Sequence, residues 1–380
     1  MITTISLPRC KSIVIRQMVY HFVLTGEVLP VSENDCNDVC VTHHALNTIS
    51  RHFGIGATIN VEDCGAAYRF MMALLSVTPG SWRLTGTPRL LERPIAELKD
   101  VLDSIGAAIL TTGNGWLIDG RDLSAETLMI DASRSSQFVS ALLLIAPKLG
   151  LYTLHLKPAG VASSSYIYLT QSLTDNRVCI PELPGRKQVV GRVGDWSTAL
   201  FWYAQAVLHP GREYELKDLS LCSAQGDAVV AGWFAELGVV SEETADGVRI
   251  SAAAVQPEAT MEFDVADHLD VVPVMAVLAG LLPADFTFLH TRNLAYKESD
   301  RGRHLAEQLA PFAEVIYRED SLRVVGRSRD KWPAAPYEFR THHDHRLAMA
   351  FLLFGEQAAL DDTSCLRKSW GNARPPKIVS

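Results

Sequence analysis

The sequence predicts a mixed α/β protein built from six similar repeats, and two observations carry this prediction. First, short polar turns run directly into apolar helical stretches at residues 10–12, 63–67, 133–137, 194–197, 268–270 and 341–346. Second, short β-like runs lie between these stretches, among them WRLTG, GLYTLHLK, TMEFDV and FTFLH. A turn-and-helix pattern that recurs along the whole chain is typical of a repeated supersecondary unit.

We expect each turn to begin a buried helix. The stretches that follow the turns are apolar on almost every side, as in FVSALLLIA, TALFWYAQAVL, VVPVMAVLAGLL and LAMAFLLF. Such stretches are typical of helices enclosed within a domain. A helix N-terminus carries unsatisfied N–H groups and the positive end of the helix dipole. The turns are therefore candidate anion sites, and turns that face one another would form a shared phosphate site.

The charge distribution also favours a small anionic ligand. The chain has 380 residues and a formal net charge of -8, and its length predicts two or three domains. An acidic balance argues against binding to nucleic acid or to an anionic membrane, because both require a basic face. The basic residues in or next to the turns are Lys11, Arg16, Arg69, Arg89, Lys297, Arg301, Arg346 and Lys368. This placement predicts a cationic cleft, and the alternative is that these are ordinary surface charges at helix ends.

The sequence predicts a cytoplasmic protein. The longest uncharged apolar runs fall short of the roughly 20 residues that a membrane-spanning helix needs. Arg9, Lys11 and Arg16 interrupt the stretch that would have to be apolar in a secretory signal.

Two clusters of possible metal ligands are better explained without a metal. Seven cysteines are scattered without a framework spacing, which favours reduced thiols. Cys36 and Cys40 precede two histidines, but no second pair of ligands follows nearby. Neighbouring residues rarely converge on one ion, so residues 342–345 are interpreted as a polar loop before a helix. We expect neither a metal nor an organic cofactor.

Several motif segments occur along nearly the whole chain. They are LPRCKSIVIR, DCGAAYRFM, LTGTPRLLERPIAELKDVLDSIGA, SSQFVSALLL, SSSYI, SAQGD, HLDVV, NLAYKESDR, DHRLAMAF and RKSW. Taken together, these segments resemble the 5-enolpyruvylshikimate-3-phosphate (EPSP) synthase family of enolpyruvyl transferases. The segment LTGTPRLLERPIAELKDVLDSIGA is the most diagnostic, because it contains the family's Arg-x-x-Glu-Arg-Pro string. Each match alone is weak, but their common order is specific.

The resemblance implies a fold, a domain division and a reaction. The fold would be an inside-out α/β barrel of two similar domains, each containing three βαβαββ units. One domain would span residues 11–194 and the other residues 1–10 plus 195–380, with the active site in the cleft between them. The reaction would transfer the enolpyruvyl group of phosphoenolpyruvate to the 5-hydroxyl of shikimate 3-phosphate and release phosphate.

The resemblance also implies roles for individual residues. Catalysis would fall to Asp270 as the base toward the 5-hydroxyl, to Glu298 in proton transfer at the methylene carbon, and to Lys11 in the proton relay. The phosphoenolpyruvate site would comprise Lys11, Gly65, Arg89, Gln137, Arg301, Arg346 and Lys368. The shikimate 3-phosphate site would comprise Ser12, Arg16, Ser135, Ser136, Gln137, Ser163, Tyr166, Asp270, Asn293 and Lys297.

Alternatives remain at the level of residues and of the whole chain. Asp270 could simply cap the helix that follows it, and Glu298 could belong to a surface ladder of salt bridges. The chain could be a UDP-N-acetylglucosamine enolpyruvyl transferase, although the SSQ and KESDR strings favour shikimate 3-phosphate. It could also be a non-catalytic relative that binds small anions, although paired acids would then have no purpose. We expect a monomer, because one chain supplies the whole cleft.

The glycine turn and the Lys-Ser turn depart from the family pattern. Arg9 and Cys10 stand where Gly-Ser usually precedes the Lys-Ser turn. The glycine turn reads Asp-Cys-Gly-Ala-Ala at residues 63–67 rather than Asn-Ala-Gly-Thr-Ala. We expect the negative charge of Asp63 to weaken phosphoenolpyruvate binding.

Overall fold

The chain divides into two compact units. The structure is a computed structural model that describes residues 2–158, 160–161, 163–175, 177–183, 190–253 and 260–370. Unit I is Lys11–Val190, and unit II combines Met1–Cys10 with Gly191–Ser380.

Helices and strands alternate through both units. The helices are α1 Lys11–Thr25, α2 Asn37–Arg51, α3 Gly65–Ser76, α4 Pro88–Leu91, α5 Ala96–Ser104, α6 Ser136–Leu149, α7 Ser165–Leu173, α8 Trp196–Leu208, α9 Val230–Glu236, α10 Val272–Leu281, α11 Arg301–Leu309, α12 His345–Phe351 and α13 Arg367–Trp370. The strands are β1 Ile2–Ser6, β2 Thr58–Asn60, β3 Gly80–Thr85, β4 Ala108–Thr112, β5 Gly115–Gly120, β6 Thr127–Ile130, β7 Thr153–Leu156, β8 Glu213–Lys217, β9 Val239–Glu243, β10 Gly247–Ala252, β11 Thr260–Asp264, β12 Asp285–Leu289, β13 Ala313–Arg318, β14 Ser321–Gly326, β15 Tyr337–Phe339 and β16 Ala358–Leu360. The predicted α/β class is confirmed.

Three four-stranded sheets share one topology. Their orders are β2-β3-β5-β4 in unit I, and β1-β8-β10-β9 and β11-β12-β14-β13 in unit II. In each sheet the first pair is parallel and the other pairs are antiparallel. A parallel pair needs a crossover connection. Helix α3 provides it between β2 and β3, and α10 provides it between β11 and β12, whereas the connection from β1 to β8 contains all of unit I followed by α8. Two of these sheets therefore come from a continuous βαβαββ unit, and the third comes from a unit that unit I interrupts.

The other repeats are smaller in the part of the chain that the structure describes. Strands β6 and β7 form a two-stranded sheet in unit I, and β15 and β16 form another in unit II. Helices α1 and α2 precede the first strand of unit I without a sheet of their own within the described ranges. Within the described ranges the helical half of the repeat thus occurs six times, and the four-stranded sheet occurs three times.

All six predicted turns begin helices, and these helices form the cores. They are α1, α3, α6, α8, α10 and α12. All residues of α10 are buried, as are all those of α12. Burying a Val, Leu or Phe side chain contributes about 1.5–3 kcal/mol, so helices without a polar face are stable only when enclosed.

Polar residues at the turns explain where four of these helices start. The Cys64 sulfur accepts a hydrogen bond from the Ala67 N–H at the start of α3. Side-chain oxygens of Ser135, Asp195 and Asp344 accept backbone N–H groups at the starts of α6, α8 and α12. Each cap satisfies one of the N–H groups that a helix start leaves without an intrahelical partner.

Candidate functional site: two clusters of buried cations

Most of the basic residues selected from the sequence are buried. The exposed fractions of Arg16 and Arg69 are 2%, and those of Arg301, Arg346 and Lys368 are 1%, 3% and 4%. Charged side chains are almost never buried unless partners or ligands compensate them. Ordinary surface charge is therefore the wrong interpretation for these five residues.

Arg301 is the centre of the cluster in unit II. Its Nη1 donates to Asp270 Oδ1 at 2.7 Å, and its Nη2 donates to Glu298 Oε2 at 2.6 Å. Its Nε donates to Asp344 Oδ2 at 2.8 Å. Lys297 Nζ also donates to Asp270 Oδ1, at 3.0 Å. Four residues selected from the sequence are thus joined directly in one network.

The geometry argues against the purely structural roles considered for Asp270 and Glu298, namely a helix cap and a surface ladder of salt bridges. The residue before α10 is Val271, which makes no side-chain cap, whereas the Asp270 carboxylate bonds to Lys297 and Arg301. The bonds described for the Asp270 carboxylate therefore run to cations and not to the N–H groups of a helix start. Glu298 pairs with a guanidinium that is 1% exposed, so it does not belong to a surface ladder.

The surrounding charges determine the protonation of Asp270. Burial raises the pKa of its carboxyl group, but the positive charges of Lys297, Arg301 and Arg346 outweigh burial and hold the pKa well below its ordinary value. Asp270 is therefore ionised at neutral pH, as a proton acceptor must be.

Arg346 has donors with no acceptor in the described part of the chain. It is the second residue of α12 and is 3% exposed, yet its Nε and Nη1 atoms make no hydrogen bond there. Unsatisfied buried donors on a cation are costly, and an anion would satisfy both. This guanidinium is therefore the strongest individual pointer to an anionic ligand.

Sequence reasoning missed two buried acids in unit II. Asp344 is completely buried and accepts hydrogen bonds from Arg301, Ser299 and the Arg346 N–H. Asp227 accepts a hydrogen bond from Ser197, and burial together with the negative charge of Asp270 raises its pKa. Both acids lie in segments that carry the family resemblance, DHRLAMAF and SAQGD, and for Asp344 the nearby Arg346 was a further available signal.

In unit I, Lys11 begins α1 and pairs with a buried acid that was also missed. Lys11 Nζ donates to Asp38 Oδ2 at 2.7 Å, with the Asp38 side chain 7% exposed. Asp38 lies in the first turn of α2, between Cys36 and Cys40, and outside the segments that carry the family resemblance. The pair fixes the lysine at the N-terminus of α1.

Arg16 is held one turn further along α1. Its Nη1 donates to the Ser12 carbonyl oxygen at 2.8 Å, and its Nε donates to Thr170 Oγ1 at 2.7 Å. Its guanidinium carbon lies 5.5 Å from the centre of the Tyr166 ring. The structure therefore brings together three predicted residues, namely Ser12, Arg16 and Tyr166.

Two guanidinium groups surround the glycine turn. Arg69 Nη1 donates to the Gly65 carbonyl oxygen at 2.9 Å, and its Nη2 donates to the Pro94 carbonyl oxygen at 2.7 Å. A Cβ atom on Gly65 would lie 2.5 Å from Arg93 Nη1 and 2.9 Å from Arg69 Nη1. The absence of a side chain at Gly65 is what admits both cations to this helix start. Arg93 was part of a quoted motif but was not selected as a site residue.

The remaining predicted residues lie at helix starts or on short turns. Ser135 caps α6, Ser136 and Gln137 are its first residues, and Ser163 has a φ of 55° before α7. Asn293 lies in the 3-10 turn Arg292–Tyr296, and Lys368 lies in α13.

Arg89 differs from the other predicted cations. Its side chain is 57% exposed, and its Nη1 lies 3.2 Å from Glu92 Oε2 in a pair three residues apart. For this residue the alternative of surface charge at a helix end fits the structure.

The described ranges contain neither a cluster of metal ligands nor a membrane-spanning helix. No group of three or more His, Cys, Asp or Glu side chains that could hold a metal ion occurs within the described ranges. Every helix in those ranges is too short or too polar to cross a lipid bilayer.

Comparisons with known proteins agree with the resemblance. The family model for EPSP synthase (3-phosphoshikimate 1-carboxyvinyltransferase) matches residues 26–374. A 3-phosphoshikimate 1-carboxyvinyltransferase of Bacteroides fragilis is 33% identical over 365 residues, covering 92% of this chain and 87% of the relative. The chain belongs to the EPSP synthase family. The family predicted from sequence motifs is thereby confirmed.

Further relatives support the same assignment. The enzyme of that name from Nostoc punctiforme is 27% identical and covers 83% of this chain and 76% of its own length. The solved EPSP synthase of Acinetobacter baumannii has a TM-score of 0.66 at 19% identity, with 97% of this chain and 93% of that chain covered. At that identity the structural likeness establishes a shared fold only.

Proposed function

We propose that the protein transfers the enolpyruvyl group of phosphoenolpyruvate to the 5-hydroxyl of shikimate 3-phosphate, with release of phosphate. The observation that carries this proposal is the buried pairing of cations and acids in unit II. Arg346 offers hydrogen-bond donors for an anion, and Asp270 and Glu298 stand beside the same cations. A site that only binds anions has no need of the two acids.

The proposed fold and site extend beyond either unit alone. In this proposal the units are the two domains of an inside-out α/β barrel, each with three repeats, and the active site lies in the cleft between them. Helix starts in both units would then supply N–H groups and cations to both substrates. The shared topology of the three complete sheets supports the repeat. Because one chain would supply every group, we propose that a monomer in the cytoplasm is the working form.

Glu298 in its protonated form would first give its proton to the methylene carbon of phosphoenolpyruvate and become a carboxylate. The adjacent carbon is then cationic, so the 5-hydroxyl oxygen can attack it as its proton passes to Asp270. During elimination the Glu298 carboxylate would take a proton back from the new methyl group while the C–O bond to phosphate breaks, the proton on Asp270 would leave with the released phosphate, and Lys11 would join this relay. Arg301 holds the Glu298 carboxylate in place.

Asp270 would accept the proton of the 5-hydroxyl. A carboxylate whose pKa is far below neutral is a weak base. Anionic substrates would partly neutralise Lys297, Arg301 and Arg346, whose charges lower the Asp270 pKa. Binding would thus raise the pKa of Asp270 and make it a stronger base at the moment of reaction.

Recognition would use the residues selected from the sequence. Phosphoenolpyruvate would contact Lys11, Gly65, Arg89, Gln137, Arg301, Arg346 and Lys368. Shikimate 3-phosphate would contact Ser12, Arg16, Ser135, Ser136, Gln137, Ser163, Tyr166, Asp270, Asn293 and Lys297. Bidentate guanidinium groups suit carboxylate and phosphate, and hydroxyl groups suit the ring hydroxyls.

Phosphate release is the direct test of the reaction. The protein is mixed with phosphoenolpyruvate and either shikimate 3-phosphate or UDP-N-acetylglucosamine. Release only with shikimate 3-phosphate is expected. Release only with the nucleotide sugar would indicate the sister enzyme, and tight binding without release would indicate an anion-binding protein.

Replacing Asp270→Asn tests the assigned base. We expect phosphate release to fall by about 10²–10⁴-fold, because the side chain can no longer accept the proton. Shikimate 3-phosphate should still bind, as calorimetry would show. The control is Asp264→Asn, which removes a carboxylate that is 66% exposed and paired with His290. Equal turnover in the two variants would contradict the assignment.

A further inference from the structure

Arg16 is buried among four helices of unit I. The residue lies on α1, and its guanidinium carbon is 5.2 Å from the ring centre of Phe70 on α3. Tyr166 on α7 supplies a second ring, at 5.5 Å. The aromatic faces attract the cation but leave the direction of its N–H groups undetermined.

Two hydroxyl groups set that direction. Arg16 Nε donates to Thr170 Oγ1 at 2.7 Å, and Arg16 Nη2 donates to Ser140 Oγ at 3.2 Å. Ser140 is on α6 and Thr170 is on α7, so the two oxygens hold the guanidinium from two different helices. Both contacts are enclosed, since Ser140 and Thr170 are completely buried.

The hydrogen bonds around Thr170 have only one consistent direction. Thr170 Oγ1 donates its single hydrogen to the Tyr166 carbonyl oxygen at 2.7 Å. The 2.8 Å contact between the Ser140 and Thr170 hydroxyls must therefore be donated by Ser140. Each hydroxyl then has a lone pair directed at Arg16. The network is ordered by the backbone of α7 and ends at the guanidinium.

We infer that Ser140 and Thr170 are positioning residues that orient the Arg16 guanidinium for contact with the anionic acceptor substrate. This inference rests on the proposed function, in which Arg16 contacts shikimate 3-phosphate. The hydroxyl oxygens are neutral, so these bonds fix the guanidinium without cancelling its charge. A carboxylate at either position would form an ion pair and weaken the attraction for an anionic ligand.

Replacing Thr170→Val is the sharpest test. Valine keeps the branched shape and removes the acceptor for Arg16 Nε together with the bond from Ser140. We expect KM and Kd for shikimate 3-phosphate to rise about tenfold, the loss typical of one hydrogen bond to a charged group. The kcat value and the KM for phosphoenolpyruvate should change by less than about twofold. Thr170→Ser restores the hydroxyl and should restore the acceptor KM.

A matched control separates positioning from a general loss of buried polarity. Thr174 is buried one turn later, and its hydroxyl donates to the Thr170 carbonyl oxygen. Thr174→Val should leave the acceptor KM within about twofold of the parent. In an Arg16→Lys background, Thr170→Val should add little, because lysine has no Nε–H group to direct.

The outcomes are distinguishable. If the parent protein releases no phosphate from the two substrates, the proposed function fails. If the parent is active and Thr170→Val keeps the parental acceptor KM, the positioning inference fails alone. Equal losses in kcat and in both KM values, without rescue by Thr170→Ser, would also overturn it. If Thr170→Val does not fold, Ser140→Ala tests the inference in its place. We expect the KM for shikimate 3-phosphate to rise about threefold in this variant. An unchanged KM would overturn the inference.

Discussion

The two units hold their buried arginines by different means. In unit II, Arg301 is bonded to three carboxylates, those of Asp270, Glu298 and Asp344. In unit I, the bonds described for Arg16 run to two hydroxyl groups and one backbone carbonyl oxygen. The bonds described for Arg301 therefore run to titratable groups, whereas those described for Arg16 run to oxygens that do not titrate.

This difference indicates a division of labour. The cations around Asp270 hold its pKa well below its ordinary value, and carboxylates can take up and release protons, so unit II is suited to acid–base chemistry. Neutral hydroxyl and carbonyl groups orient a guanidinium without changing protonation, so unit I is suited to recognition. Lys11 is the exception in unit I, since it pairs with Asp38, and it is also the residue there to which we assign a proton-relay role.

The largest effect on stability is expected from breaking the carboxylate shell in unit II. In Asp344→Asn, Arg301 stays buried but loses one of its charged partners. Removing one member of a buried ion pair costs about 3–5 kcal/mol, because the other charge remains buried. Urea unfolding should show this loss, and phosphate release should fall as well.

The control for Asp344→Asn is an exposed pair in the same unit. Arg303 and Glu307 are 66% and 51% exposed, so Glu307→Gln should cost less than about 1 kcal/mol. Similar losses in the two variants would mean that burial does not distinguish the pairs.

A smaller effect is expected at the Lys11–Asp38 pair of unit I. In Lys11→Met, the buried Asp38 carboxylate loses a hydrogen-bonded cation, and a loss of about 1–3 kcal/mol follows. The Lys11 side chain is 19% exposed, so solvent compensates part of the loss. Chemical denaturation of the single variants and of Lys11→Met/Asp38→Asn would measure the coupling.

The double variant should be more stable than the sum of the single losses predicts, because removing both partners leaves no uncompensated charge. Full additivity would show that the pair contributes nothing. A loss in Lys11→Met as large as that in Asp344→Asn would erase the contrast between the two units.

The helix starts could be predicted from sequence because their signals are local. A capping residue followed by an apolar run determines where α3, α6, α8 and α12 begin, and a window of about ten residues contains the whole signal. Sheet size could not be predicted in this way. The number of strands in a sheet depends on which distant segments pair. Neither the turns nor the helices indicate which segments these are.

The same distinction between local signals and long-range contacts applies to the residues of the candidate site. Asp270, Lys297 and Arg301 belong to strings beside a turn, so motif order selected them before the structure joined them. The sequence did not identify Ser140 and Thr170 as hydrogen-bond partners of Arg16. They lie 124 and 154 positions away from it along the chain and resemble ordinary buried hydroxyl residues. Exposure is also tertiary information, which is why the sequence grouped Arg89 with cations that proved to be buried.

The smallest expected effect is a pH dependence in unit II, beside the Asp344 turn. The rings of His304 on α11 and His342 are stacked, with centres 3.6 Å apart and planes within 4°. Burial lowers the pKa of His304, the neighbouring His342 and Arg303 lower it further, and Asp300 and Glu307 on the same stretch oppose this only partly. The folded protein therefore disfavours protonated His304, while the unfolded chain takes up the proton near pH 6.5. Stability should be lost as the pH falls from about 6.5 through the lowered pKa, and should level off below it.

In His304→Gln this contribution disappears, so urea midpoints measured between about pH 7.5 and 5 should fall less steeply than in the parent. His44→Gln, on the exposed face of α2 in unit I, is the control and should follow the parent curve. Parallel curves for the parent and His304→Gln would show that the titratable character of unit II is confined to its carboxylates.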